Sequence, residues 1–317
     1  MLRVHLENGA VSVAEAPLPE RPADHALLHL LLAGICNTDL ELQRGYYGFS
    51  GTPGHEFVAE VVEAGDHALI GRRVVGEINL ACTRCDWCRK GLGRHCPNRA
   101  VLGIVRHPGA FQEFFTLPER NLHPLADGIP LERAVFAEPL AAACEILDQV
   151  AIPARAPIAV LGDGKLGLLA AQALDVYGYP VRLFGRHPEK LRLATAVGIA
   201  TELVSGPLPL AEYDWVVDAT GSPDGLRQAV AMARPRGTAI LKSTLHGAVG
   251  VDAAPIIVNE VTLVGSRCGR FETALPLLEH GLIRAENLVA ARFPLRDAAR
   301  AFQRASERGV LKVLLEP

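Results

Sequence analysis

The sequence predicts an α/β fold, a doubly wound parallel sheet carried inside a chain that begins and ends β-rich. Three observations predict it. From Pro157 onward short apolar runs alternate with helical patterns, the signature of strand–helix–strand units. Up to about Pro130 the apolar runs are short and punctuated by Gly and Pro. With 317 residues the chain is longer than one compact core usually needs, so two domains are expected.

The elements follow in order. Met1 to Val13 alternates like a strand and has no apolar leader region. "HALLHLLLAGIC" from His25 and "HEFVAEVVEAG" from His55 are strands of a β-rich domain. "LAAACEILDQV" from Leu140 is a helix. Then come a strand at "PIAVL", a turn and helix at "GDGKLGLLAAQALDVYG", a strand at "VRLF", and a helix at "HPEKLRLATAVG" closed by Gly198. A strand at "DWVVDAT" precedes a helix running from Pro223 to Gly237, and strands follow at "TAILKST" and "VTLVGS". Helical patterns around Thr273–His280 and Leu295–Glu307 lead to a last strand, "VLKVLLE". There is no internal repeat.

Composition is ordinary for a globular protein, 49% apolar and 21% charged. The net charge is −3 with no Lys/Arg block, so neither a nucleic acid nor an anionic membrane is expected as a partner. The apolar stretch Ala26 to Ile35 is far too short to span a bilayer. A soluble, cytoplasmic protein is expected.

Four of the seven cysteines, Cys82, Cys85, Cys88 and Cys96, fall within fifteen residues as C-x2-C-x2-C-x7-C. In a long chain without a leader such clustering favours metal over disulfides. Four thiolates on a short irregular segment (about 80–100) close a tetrahedral zinc site of the structural type. An iron–sulfur run also ends in Cys-Pro, as Cys96-Pro97 does, but wants a final spacing of three. A nucleic-acid zinc ribbon wants two separated knuckles and basic flanks.

Gly162, Gly164 and Gly167 frame G-D-G-K-L-G between a strand and a helix. In that setting the triplet is a dinucleotide turn, with Lys165 and Leu166 opening the helix whose N-terminus faces a pyrophosphate. The next strand ends in Gly185 and Arg186, where an NAD site usually carries an acid for the ribose 2′-OH. Loss of that acid and gain of a planar cation favour NADP over NAD.

Three dispersed pieces remain: "GICNTDLEL", "GHEF" and "FAEPLA". Each alone is bland. Together Cys36, His55, Glu56 and Glu138 offer thiolate, imidazole and carboxylate groups to one zinc. The order GxCxTD, GHE, four-cysteine lobe, EPL, GxGxxG resembles that of the zinc-containing medium-chain alcohol dehydrogenases, with most likeness to the polyol, threonine and glucose dehydrogenase branch. The resemblance extends to "PLRDAARAFQRA…LKVLL" at the end.

The resemblance implies a GroES-like catalytic domain (1–139 and 270–317) interrupted by a Rossmann domain (140–269), with zinc and nicotinamide meeting in the cleft between them. It implies two zincs per chain. Cys36 and His55 would be direct ligands of the catalytic ion, with Glu138, Glu56 or a water between them completing the site. Thr38 would take the alcohol proton, and Asp39 would brace His55. Thr220, Ser243, Thr244 and Lys312 would lie along the cofactor, Ser243 and Thr244 near the nicotinamide and Lys312 near the phosphates. The substrate would be a small alcohol, polyol or corresponding carbonyl compound, and the assembly a homodimer or homotetramer. Glu41 stands where relatives often have a relay histidine. Two alternatives are a zinc-free quinone or enoyl reductase on the same fold, which lacks the Cys/His/Glu set, and a non-catalytic zinc or NADP-binding protein. Tyr46, Tyr47 and Phe49 are candidate pocket residues.

Overall fold

Two hydrophobic periodicities, one β-rich and one alternating, give two compact units in the computed structural model, which describes residues 1–244 and 250–317. The first unit comprises Met1–Glu138, Leu278–His280 and Val289–Pro317; the second comprises Pro139–Leu277 and Gly281–Leu288.

The first unit is built on a seven-stranded sheet. Its order is Leu122–Pro124, Arg73–Gly76, Glu56–Glu63, His25–Gly34, Lys312–Glu316 and Val289–Pro294, with Phe114–Pro118 also paired to His25–Gly34. The apolar run read from the sequence explains the central strand: Ala26, Leu28, Leu30 and Leu32 are all buried, as expected of a strand covered on both faces. Phe57 and Phe115 meet edge-on beneath it, ring centroids 4.9 Å apart. The chain's last strand returns antiparallel beside His25–Gly34, setting Leu314 opposite Gly34, while Gly34 also lies opposite Glu56. One end of the sheet thus gathers the residues around positions 34–36, 55–56 and 312.

The second unit holds a six-stranded parallel sheet, in the order Ala200–Leu203, Val181–Gly185, Ile158–Leu161, Tyr213–Asp218, Ala233–Leu241, Thr262–Gly265. The chain winds outward in one direction from Ile158–Leu161, then in the other from Tyr213–Asp218, so the switch point lies between these two strands. Ile158–Leu161 is buried throughout. Ala159, Leu161, Phe184, Val216, Ala229 and Met232 pack in one core cluster.

Two expectations are corrected here. The helix after Ser222 ends at Met232 rather than Gly237, and Ala233–Leu241 is one strand. Pro235 has no N–H and disfavours helical backbone at Arg234; Ala233 is already extended, with φ −69° and ψ 134°. Residues 270–277 and 281–288, assigned from the sequence to the first domain, pack with the second unit. Gly269 lies so near Ala141 that a Cβ would stand 1.8 Å from its carbonyl oxygen. Arg270 clasps Asp148 through two contacts of 3.0 and 3.1 Å, and the Arg284 N–H donates to Gln172 Oε1 at 2.8 Å. Among the described residues no helix is long and apolar enough to cross a membrane.

Candidate active site

In the first unit the strand His25–Gly34 ends and the helix Asn37–Gln43 begins within three residues, with Cys36 as the N-cap. Asp39, fully buried, binds the two segments together. Its Oδ2 accepts the Cys36 N–H at 2.8 Å, and its Oδ1 accepts the Gly54 N–H at 3.2 Å. One carboxylate thus fixes the distance between the GxCxTD and GHE segments. The same Oδ1 lies 3.4 Å from His55 Nδ1. That contact is long, and Nδ1 is a buried nitrogen without a hydrogen-bond partner. Burial alone would lower the His55 pKa, but the charge of Asp39 beside it, with help from Cys36, outweighs burial and raises it well above the ordinary value.

The donor atoms of Cys36, His55 and Glu56 all lie within 4.8 Å of one another. A sulfur, an imidazole nitrogen and a carboxylate oxygen converging this way fit a three-ligand catalytic zinc site with a fourth position for water or substrate. Thr38 Oγ1 is 3.8 Å from Cys36 Sγ. Glu138, by contrast, stands outside this group, partly exposed in the first turn of the helix Ala137–Gln149.

Lys312 differs from its expected place along the cofactor phosphates. It is 1% exposed, its Nζ bonds Glu56 Oε2, and it lies 5.4 Å from the Phe136 ring centroid. A buried ammonium of this kind is committed to its partner. Gly34 makes the pair possible: a Cβ there would stand 2.5 Å from Glu56 Oε2 and 3.3 Å from Lys312 Cδ. The sequence reading missed this pairing, because it joins residues 256 positions apart. The Tyr46 and Tyr47 rings meet at a tilt of 34°, centroids 4.1 Å apart, in a short turn with Tyr47 largely exposed. Glu41, at the relay position, pairs with Arg44 at 2.6 Å.

The cysteine lobe forms a second cluster. Cys82, Cys85, Cys88 and Cys96 have sulfurs within 4.8 Å of one another, with separations of 3.4 Å (85 to 88), 3.7 Å (85 to 96) and 4.0 Å (82 to 88). Four thiolates about 2.3 Å from one ion make a tetrahedron with edges of about 3.8 Å, whereas a disulfide would need about 2.05 Å. The lobe's geometry therefore fits zinc. The backbone N–H of Arg84 is the main cause lowering the Cys82 thiol to about 6, burial opposing it, whereas burial and the three neighbouring thiols push Cys88 up to about 12. A thiolate is the form that binds metal.

In the second unit the glycine turn sits at the switch point. Gly164 is the N-cap of the helix Lys165–Val176, which Lys165 and Leu166 open, and the first N–H groups of a helix point out of its N-terminus. Gly167 packs against the turn so closely that a Cβ would be 1.9 Å from the Gly162 oxygen. Across the switch point, Thr220 donates its N–H and Oγ1 to Asp218 Oδ1 at 3.0 and 2.8 Å, and Ser243 Oγ accepts the Gly221 N–H at 2.9 Å. Thr244 follows Ser243 in the same loop beyond Ala233–Leu241.

At the next strand end Arg186 is exposed, but the site is not free of carboxylate. Asp163, the second residue of the glycine turn, lies there 6% exposed. Its Oδ2 accepts the N–H groups of Arg186 and His187, each at 2.7 Å, and its Oδ1 is 3.0 Å from His187 Nδ1. The premise that loss of an acid at 185 empties this place is thereby corrected. An acid inside a turn meant for pyrophosphate was the available signal, since it must be used elsewhere.

Comparison with known proteins agrees with both halves. The family model for the alcohol dehydrogenase GroES-like domain matches residues 22–127, and that for the zinc-binding dehydrogenase domain matches residues 166–280. D-altritol 5-dehydrogenase of Agrobacterium fabrum is 31% identical over 97% of this chain and 97% of its own length. A zinc-binding dehydrogenase from Sinorhizobium meliloti 1021, bound to NADP, superposes with a TM-score of 0.91 at 29% identity, covering 100% of this chain and 99% of that one. A short chain alcohol dehydrogenase from Escherichia coli CFT073, complexed with NADH, gives 0.91 at 25% identity with the same coverage. With two family domains in order around a thiolate–imidazole–carboxylate cluster and a dinucleotide turn, this chain belongs to the zinc-containing medium-chain alcohol dehydrogenases, in the polyol dehydrogenase branch, and is an NAD(P)-dependent oxidoreductase.

Proposed function

We propose that the protein oxidises a secondary hydroxyl of a small polyol to the ketone, or runs the reverse reduction, with NADP preferred over NAD. The carbinol carbon gives a hydride to the nicotinamide and its hydroxyl gives up a proton, so alcohol and NADP+ become ketone, NADPH and H+. The observation that carries this reading is the convergence of Cys36, His55 and Glu56. A zinc ion held there would act as a Lewis acid, lowering the alcohol's pKa and stabilising the alkoxide.

The protein's own groups have definite tasks. Asp39 holds the Cys36 and Gly54 backbones in register and faces the His55 imidazole. Thr38, two residues from Cys36, takes the substrate proton. Lys312 neutralises Glu56 from behind. Gly162, Gly164 and Gly167 let the pyrophosphate approach the N-terminus of the helix Lys165–Val176, and Thr220, Ser243 and Thr244 line the cofactor's path. Arg186, exposed at the end of Val181–Gly185, pairs with a 2′-phosphate.

Polyol dehydrogenase relatives support the substrate class, the NADP- and NADH-bound neighbours support a nicotinamide dinucleotide, and the exposed Arg186 supports NADP as the preferred one. Two zincs per chain, a cytoplasmic location and a homodimer or homotetramer complete the proposal. A panel of alditols and simple secondary alcohols, assayed with NADP and NAD, tests it. Polyols should exceed simple alcohols in kcat/KM, with NADP the better cofactor. Turnover confined to enones or quinones would contradict it.

A further inference from the structure

Asp163 occupies an unusual place. A carboxylate serving the adenosine ribose is ordinarily carried by the last residue of the second parallel strand. Here that residue is Gly185, and a Cβ on it would lie 2.5 Å from Asp163 Oδ2, 2.6 Å from Asp163 Cβ and 2.7 Å from Leu191 Cδ2. The side-chain space of position 185 is therefore filled by the side chain of residue 163. The carboxylate has moved from the strand to the glycine turn while remaining at the strand's end.

Its contacts show what it does there. It takes the two backbone N–H groups of Arg186 and His187 and the Nδ1 of His187. His187 is the N-cap of the helix Pro188–Thr195, so these are the donors that precede that helix. A 2′-phosphate arriving at this loop needs just such donors, and it brings a charge of about −1.5 to −2. Asp163 opposes it twice, by occupying the donors and by its own charge. A free 2′-OH meets neither objection. The exposed Arg186 acts in the opposite sense.

We propose that Asp163 is a specificity-determining residue for the cofactor, a relocated carboxylate that disfavours the 2′-phosphate and limits the NADP preference Arg186 would otherwise confer. The proposal rests on the reading of the glycine turn as a nicotinamide-dinucleotide site.

The test uses the whole zinc-loaded enzyme and two readouts. The first is the ratio of kcat/KM for NADP to that for NAD. The second, independent of turnover, is the calorimetric affinity for 2′,5′-ADP relative to 5′-AMP. Asp163→Asn should raise both ratios on the order of tenfold, the effect of removing one unit charge several ångströms from another near a protein surface. A second variant, Asp163→Gly with Gly185→Asp, returns the carboxylate to the strand, the Asp163 side chain being gone and the end of the flexible Leu191 side chain having to shift, and should bring both ratios back to the wild-type value or below. A merely structural role for Asp163 would weaken both cofactors together and leave the ratios unchanged. Unchanged or falling ratios in Asp163→Asn overturn the proposal while leaving the dehydrogenase reading intact. Wild-type protein that binds neither dinucleotide overturns both.

Discussion

Gly34, Glu56 and Lys312 form a unit that only the folded chain reveals. Glu56 and Lys312 are each 1% exposed and paired. Removing one member of a buried pair strands the other and costs about 3–5 kcal/mol. Lys312→Met should therefore destabilise the metal-free protein by about that amount in denaturant unfolding, and Glu56→Gln in the same background should recover part of it. A zinc ion on Glu56 would offset the stranded charge, so the loss should be smaller in zinc-loaded protein. His55 makes a different case: Cys36, His55 and Glu56 were each picked out from sequence by residue type and motif, and their donors do converge. His55→Ala should lower kcat/KM at least about a hundredfold yet leave NADPH affinity, read by fluorescence titration, nearly unchanged, because the glycine turn belongs to the other unit. What sequence could not assign was the partner of Lys312 or Asp163, since both contacts depend on which strands lie side by side.

Among the elements, the most legible was the cysteine lobe. Its spacing alone implied a closed site, and sulfurs 3.4–4.0 Å apart match a tetrahedron of thiolates. The lobe around it has little regular structure of its own, a four-residue helix at Asp86–Arg89 and a turn at Gly93–His95, so metal should hold it together. Cys85→Ser should lose one of two zincs by elemental analysis and lower Tm by about 6–12 °C, what a loss of about 3 kcal/mol does to a domain of this size. Five of the six strands of the parallel sheet were legible as apolar runs, most plainly Ile158–Leu161, which is buried throughout; Ala200–Leu203, short and largely exposed, was not read from the sequence. The end of the helix Pro223–Met232 was misplaced, since Ala, Met and Arg suit helix propensity up to the proline. Pro235 decided it, and tertiary pairing with Tyr213–Asp218 drew Ala233–Leu241 into the sheet.

Over the whole molecule the order of motifs was more informative than any motif alone. Cys36 or His55 by itself is an ordinary residue; followed by a four-cysteine lobe, Glu138-Pro139-Leu140 and a glycine turn after a strand, each gains a role. The division into units was harder to read, because residues 270–288 alternate between them and only contacts such as Arg270 with Asp148 tell which core they join. The central claim, that zinc held by Cys36, His55 and Glu56 is what lets this chain transfer hydride, is tested most directly by polyol-dependent NADPH formation before and after chelation. The account predicts that removing the more labile metal equivalent abolishes the reaction, that adding zinc restores it, and that Cys36→Ser neither binds that equivalent nor regains activity. Undiminished turnover by the chelated protein, or by Cys36→Ser, would contradict it.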